Sequence, residues 1–125
     1  MLGTCNGFQV LVRSRSLPGR SCEIVRLRFV CDMVATRVEV ERLAICARLP
    51  ERGATPPAGC AWRRLFFADA ETLRELNANR QVILRYADSR RPDVVPEANP
   101  NWFDRNIIAG ICNRERNVFG LMPHS

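Results

Sequence analysis

The stretch G-T-C-N-G at residues 3–7 limits the local fold strongly, because it sets a cysteine between two glycines directly after a short apolar run and before F-Q-V-L. This is the pattern of a nucleophile elbow, in which the chain leaves a strand, turns sharply and enters a helix. Small neighbouring residues allow the strained backbone that projects the nucleophile. A helix N-terminus stabilises a thiolate, and the following backbone N–H can bind an oxyanion. One interpretation is that Cys5 is a nucleophile and that the Asn6 amide is its oxyanion donor. The alternative is that Cys5 is a small buried apolar residue in an ordinary turn.

The length of 125 residues allows one domain at most. The remaining patterns predict both strands and a helix. Asp69 is placed to cap a helix that runs to about Asn79, with acidic side chains toward its positive end. Strand-like segments are L-R-F-V (27–30), T-R-V-E-V (36–40) and Q-V-I-L-R-Y-A (81–87), and I-I-A-G-I-C and N-V-F-G-L-M form a hairpin joined at N-R-E-R-N. Residues 12–26 and 41–65 show no sustained period, so we expect irregular backbone there.

The net charge of +6 is confined to those two unpatterned segments. Every basic residue is arginine, and the two segments hold nine of the 19 arginines but three acids, whereas the rest of the chain is neutral. One interpretation is therefore an arginine-rich module that binds nucleic acid or an acidic partner. The arginines are not interleaved with aromatic residues on a periodic face, so we expect no nucleic-acid partner.

Several sequence features bear on the compartment and on metal binding. No apolar run is long enough to span a membrane, and the first residues lack the regions of a signal peptide, so we expect a cytoplasmic protein without a membrane partner. The six cysteines form no C-x-x-C pair and the chain has one histidine, His124. We therefore expect reduced thiols, no metal site and no cofactor in this chain.

A resemblance covers most of residues 1–11, 27–40 and 66–124. The segments G-T-C-N-G-F-Q-V-L, L-R-F-V-C, F-A-D-A-E-T-L, L-R-Y, N-P-N, I-A-G-I-C-N and G-L-M-P-H occur in that order. Together they resemble the C-terminal half of the glutaminase component of phosphoribosylformylglycinamidine synthase, in the class I glutamine amidotransferase family. The resemblance implies that residues 1–125 form a single partial glutaminase domain, α/β and layered, without its N-terminal strands. It also implies that the terminal hairpin brings His124 toward Cys5.

The resemblance also implies a mechanism. The Cys5 thiolate attacks the side-chain amide carbon of glutamine, His124 protonates the departing ammonia, and water hydrolyses the γ-glutamyl thioester. Ammonia passes to a synthetase subunit, which uses ATP and magnesium to convert formylglycinamide ribonucleotide into its amidine. Without the resemblance, a lone histidine near a terminus would be interpreted as a solvated surface group.

The chain also departs from the family pattern. The family continues P-H-P-E, where the glutamate orients the histidine, and this chain reads P-H-S. The family's first half, with part of the oxyanion hole, precedes the nucleophile strand. Where the family has a substrate-side A-H-G-E-G motif, this chain reads G-C-A-W-R-R-L-F. We therefore expect little or no glutaminase activity from the chain as written.

One hypothesis for the substituted motif is a shift of reading frame. Residues 61–66 can be encoded GCA TGG CGA AGG CTA TTT, and reading one base later gives His-Gly-Glu-Gly-Tyr. Out-of-frame reading of GC-rich codons also yields arginine, alanine and cysteine, which accounts for the location of the charge. The alternatives are thus a working glutaminase component, an inactive truncated or frameshifted copy of that gene, or a divergent relative with genuine insertions.

Overall fold

The computed structural model describes residues 1–23, 30–40, 58–62, 64–87 and 107–123. These residues form two helices and eight strands in mixed order, which confirms the α/β class. The elements are β1 (Leu2–Thr4), α1 (Asn6–Arg13), β2 (Arg20–Glu23), β3 (Val30–Val38), β4 (Ala58–Trp62), β5 (Arg64–Phe67), α2 (Ala70–Ala78), β6 (Val82–Ala87), β7 (Ile108–Cys112) and β8 (Phe119–Leu121).

Six of these strands form one sheet in the order β1-β8-β7-β6-β3-β4. The β1–β8 pair is parallel and the other neighbours are antiparallel. All five residues of β7 are buried, so apolar material covers both faces of the sheet there. Strands β2 and β5 form a separate antiparallel pair, in register from Arg20 opposite Phe67 to Glu23 opposite Arg64.

Helix α1 packs its apolar side onto the end of the sheet that holds β1 and β8. Phe8, Leu11 and Val12 are its buried residues. The Phe8 ring stacks on Phe66 of β5 with the ring centroids 5.6 Å apart. Aromatic burial of this kind stabilises a fold strongly, so Phe8 connects the two sheets through the helix.

Helix α2 confirms the predicted cap. Asp69 precedes the helix with extended backbone, and its carboxylate accepts a hydrogen bond from the Thr72 amide at 2.8 Å. Leu76 is the buried residue of this short helix. Neither helix in the described part of the chain has the length and the apolar run that crossing a bilayer requires.

The terminal hairpin is also confirmed, with β7 and β8 antiparallel around the turn at residues 113–117. Asn113 organises this turn, because its side-chain oxygen accepts from the amides of Asn117 and Val118, each at 3.0 Å. The N-terminal ammonium of Met1 donates to the Asn117 carbonyl at 2.6 Å, so the same turn also anchors the start of β1.

The expectation of irregular backbone is wrong within part of residues 12–26 and 41–65. Strand β2 lies in the first segment, and β4 and the start of β5 lie in the second. These strands form because backbone hydrogen bonds to β3 and to each other do not require an alternating side-chain pattern. Residues 24–29 and 41–57 lie outside the described part of the chain, as do three residues of the predicted strand at 27–30.

Candidate functional site

Cys5 occupies the turn between β1 and α1, as G-T-C-N-G predicts. Strand β1 ends at Thr4, helix α1 begins at Asn6, and Cys5 between them has φ 50° and ψ −109°. A residue other than glycine avoids this region, and holding one there costs about 1–3 kcal/mol. The surrounding structure therefore imposes a strained conformation on the residue that carries the half-buried thiol.

Strand β8 supplies much of that restraint. The Cys5 amide donates to the Leu121 carbonyl at 2.8 Å, and the Phe119 amide donates to the Met1 carbonyl at 2.9 Å. Parallel pairing thus continues past β1 to Cys5 itself. The role of the Leu121 carbonyl was missed from sequence, because a backbone acceptor leaves no residue-type signal.

The two glycines of the motif have different roles. A Cβ on Gly3 would lie 2.7 Å from backbone atoms of Gly7 and from Leu11 Cδ1, so Gly3 allows α1 to pack directly on β1. A Cβ on Gly7 would meet nothing within 4 Å. The interpretation that both small neighbours allow the strained backbone is therefore corrected: Cys5 carries the positive φ, and of the two glycines Gly3 provides the space.

The same close approach recurs at Gly120 in β8. A Cβ there would collide with the ring of Phe8 and with Leu17 Cδ1. This packing places β8, the strand that bonds to the Cys5 amide, against α1, the helix that follows Cys5. The F-G-L segment predicted a strand but not this contact, which depends on how the helix crosses the sheet.

The Asn6 amide is placed as predicted, at the first position of α1. The first N–H groups of a helix have no acceptor within the helix, and they carry the positive end of its dipole. An oxyanion formed next to the Cys5 sulfur can accept a hydrogen bond from this amide. The geometry can therefore support attack by a thiolate on a carbonyl carbon.

The other predicted site residue, His124, lies outside the described residues. The chain that leads to it is described as far as Pro123, which is buried. Met122 is also buried, and its amide donates to the Ala109 carbonyl at 2.9 Å. The hairpin thus places Leu121 beside Cys5, three positions before His124.

A cleft in the described part of the chain lies away from Cys5. It has a volume of about 270 Å³, its lining includes Arg15, Gln81 and Arg114, and it lies at the end of the sheet where β8 begins. Cys5 lies at the end where β8 finishes, so this cleft is separate from Cys5. Among the described residues, no three His, Cys, Asp or Glu side chains gather closely enough to bind a metal ion.

Comparison with known proteins agrees with this geometry. The CobB/CobQ-like glutamine amidotransferase domain matches residues 1–125. The phosphoribosylformylglycinamidine synthase subunit PurQ of Thermosynechococcus vestitus is 43% identical over 124 residues, which cover 99% of this chain and 51% of that protein. The subunit of the same name from Acaryochloris marina is 43% identical over 129 residues, covering 99% of this chain and 52% of that protein.

A solved structure, that of PurLQS from Thermotoga maritima, is similar with a TM-score of 0.68 and 26% sequence identity. The match covers 98% of this chain and 49% of the other. The chain therefore belongs to the family of CobB/CobQ-like glutamine amidotransferase domains, and it spans about half the length of the curated relatives that it matches.

Proposed function

We propose that this chain acts as the glutaminase component of phosphoribosylformylglycinamidine synthase, releasing ammonia from glutamine through a cysteine thioester. The observation that carries the proposal is the strained strand-to-helix turn at Cys5 in a chain of this family. Relatives about 43% identical are named as the PurQ subunit of that synthase, which supports the same reaction here.

The proposed reaction uses the thiol and the amide at the turn, together with His124 as the proton carrier that the family resemblance implies. The Cys5 sulfur bonds to the side-chain amide carbon of glutamine, and its proton passes to His124. The Asn6 amide donates to the oxyanion of the tetrahedral intermediate. Collapse of that intermediate breaks the carbon–nitrogen bond, and the nitrogen takes the proton from His124 and leaves as ammonia. Water then attacks the thioester, which releases glutamate and restores the thiol.

The partner of this chain would be the synthetase subunit that consumes the ammonia. The similarity to the PurLQS structure of Thermotoga maritima supports an assembly of this kind. ATP and magnesium would be used by the synthetase subunit, and the glutaminase chain would need no cofactor of its own, since thioester chemistry requires only the thiol, a proton carrier and water.

An inactive copy of the gene is the second candidate. The alignment with the Thermosynechococcus vestitus relative has 124 residues and covers 99% of this chain. The segments 12–26 and 41–65 therefore stand in place of family residues and are not extra residues inserted between them. Replacement favours a shifted reading frame over genuine insertions. Sequencing the gene tests the frameshift hypothesis. A coding sequence whose other reading frames do not encode His-Gly-Glu-Gly would contradict it.

The proposed function is tested by glutamate release from glutamine, with the synthetase subunit of a relative present. We expect slow release that Cys5→Ala abolishes, because the variant has no nucleophile. Cys112→Ala is the matched control, since Cys112 is a fully buried thiol in β7, away from the turn. Release that survives in Cys5→Ala would contradict the mechanism. Absence of release from the unaltered chain would favour the inactive copy.

A further inference from the structure

The cleft at the end of the sheet opposite Cys5 is formed by segments that are distant from one another in the sequence. Its lining comes from the loop after α1, from α2, from the residue before β6 and from the turn between β7 and β8. Its volume of about 270 Å³ is close to the lower end of the range of about 300–1,000 Å³ that small-molecule sites occupy. The cleft therefore has room for a small organic molecule.

Gln81 presents a buried acceptor at this cleft. The residue is 5% exposed and lines the cleft. Its side-chain amide nitrogen donates to the Cys112 carbonyl at 2.9 Å, which fixes the orientation of the amide and identifies its oxygen. Among the described residues, no donor bonds to that oxygen. A nearly buried acceptor without a donor is unfavourable, so a ligand that brings an O–H group into the cleft gains a hydrogen bond there.

Positive charge lies at the same cleft. Within the described part of the chain, Arg15 is exposed and makes no ion pair. Arg114 lies 3.5 Å from Glu75, but both side chains are exposed, so this ion pair is weak. The carboxylate of Glu115, which also lines the cleft, accepts from Asn113 at 2.9 Å. Both acidic side chains thus have partners, and the guanidinium of Arg15 is available to bind a carboxylate through two parallel hydrogen bonds.

We propose that this cleft binds a small carboxylate that carries a hydroxyl group. The carboxylate pairs with Arg15, and the hydroxyl donates to the side-chain oxygen of Gln81. An amino group is a poorer match, because an ammonium needs acceptors for three hydrogens and both carboxylates of the lining already have partners. Cys5 lies at the other end of the sheet, so this site goes beyond the proposed glutaminase chemistry.

An NMR titration of the isotope-labelled chain tests the proposal, with L-malate and succinate as the probes. These two dicarboxylates have the same charge and differ by one hydroxyl. We expect malate to cause saturable shifts of the side-chain signals of Gln81 and Arg15, and no shift of the Asn6 amide at the opposite end of the sheet. Succinate should bind about threefold to tenfold more weakly, because it lacks the hydroxyl that bonds to Gln81.

Arg15→Gln should weaken the binding of malate about tenfold, because it removes the guanidinium that pairs with the carboxylate. Arg13→Gln is the matched control: Arg13 is exposed at the end of α1 and does not line the cleft, so the variant loses the same charge and should keep its affinity. The amide spectrum of each variant verifies its fold.

Three outcomes would overturn the proposal. Equal weakening by both substitutions would mean that malate responds to net charge alone. Equal affinity for malate and succinate would exclude the bond to Gln81, and absence of saturable shifts would exclude the site. The titration contains no glutamine and does not involve Cys5, so its failure is distinct from failure of the proposed function.

Discussion

At the scale of the residue, Cys5 combines a reactive group with an unfavourable backbone conformation. Its φ of 50° is maintained because the Leu121 carbonyl holds its amide and α1 begins immediately after it. Strain at a catalytic position persists only when neighbouring contacts over-determine it. Here those contacts come from a strand more than a hundred positions later in the chain.

Gly3 gives the sharpest prediction at this scale. Gly3→Ala should destabilise the fold by about 1–3 kcal/mol, because the added methyl would meet backbone atoms of Gly7 that cannot move independently. The matched control is Gly7→Ala, whose methyl enters open space in a helix and should be neutral or slightly stabilising. Urea unfolding of the two variants measures the difference. Equal stability of both would show that α1 does not pack on β1 through Gly3.

At the scale of the element, the cap of α2 is the clearest case. The hydrogen bond from the Thr72 amide lowers the pKa of Asp69 below its ordinary value of 3.8, and the positive charge of Arg20 acts in the same direction. The ionised carboxylate is thus favoured by the folded state. Its contribution to stability is present above the ordinary pKa and is lost as the pH falls through the lowered one.

A substitution isolates this contribution. Asp69→Asn preserves a good N-cap but removes the titrating group. The thermal midpoint of the unaltered chain should therefore fall more than that of the variant when the pH is lowered from about 5 to about 2. Circular dichroism at the two pH values gives the comparison. Parallel loss in both proteins would mean that Asp69 does not stabilise α2 through its charge.

At the scale of the whole molecule, β1 is an outer strand of the mixed sheet among the described residues, so the strand before Cys5 has one neighbour there. In this part of the chain, the thiol thus follows an outer strand. Around Cys5, the described part of the chain offers the Asn6 amide as its candidate oxyanion donor. The resemblance implies that another part of the oxyanion hole belongs to the half of the relatives that this chain does not match.

Turnover by the 125-residue chain should accordingly be slow. Lack of one oxyanion donor reduces the rate by about a hundredfold to a thousandfold, and the effects of groups that act together do not simply add. We expect glutamate release at least about a hundredfold below that of a full-length relative assayed with its synthetase subunit. Turnover by the chain alone that equals the relative would show that these residues suffice.

The sequence by itself determined the elements whose signals are local: the turn at Cys5, the Asp69 cap, and the hairpin around Asn113. Each depends on neighbouring residues, and each was predicted from residue type and spacing. Residues 20–23 and 58–62 were not predicted as strands, because their order comes from backbone pairing with distant segments rather than from a side-chain period. The role of His124 was predicted from the family resemblance alone, because a single histidine forms no motif.

Only the tertiary structure decided what holds Cys5. The bond to the Leu121 carbonyl and the close approach at Gly120 arise between segments that are adjacent in space and distant in sequence. Residue types record that a glycine is present but not which atoms approach it. A short motif therefore predicts a candidate nucleophile, whereas the backbone strain at Cys5 depends on packing across the sheet, because contacts with other segments hold a residue in a conformation that it disfavours.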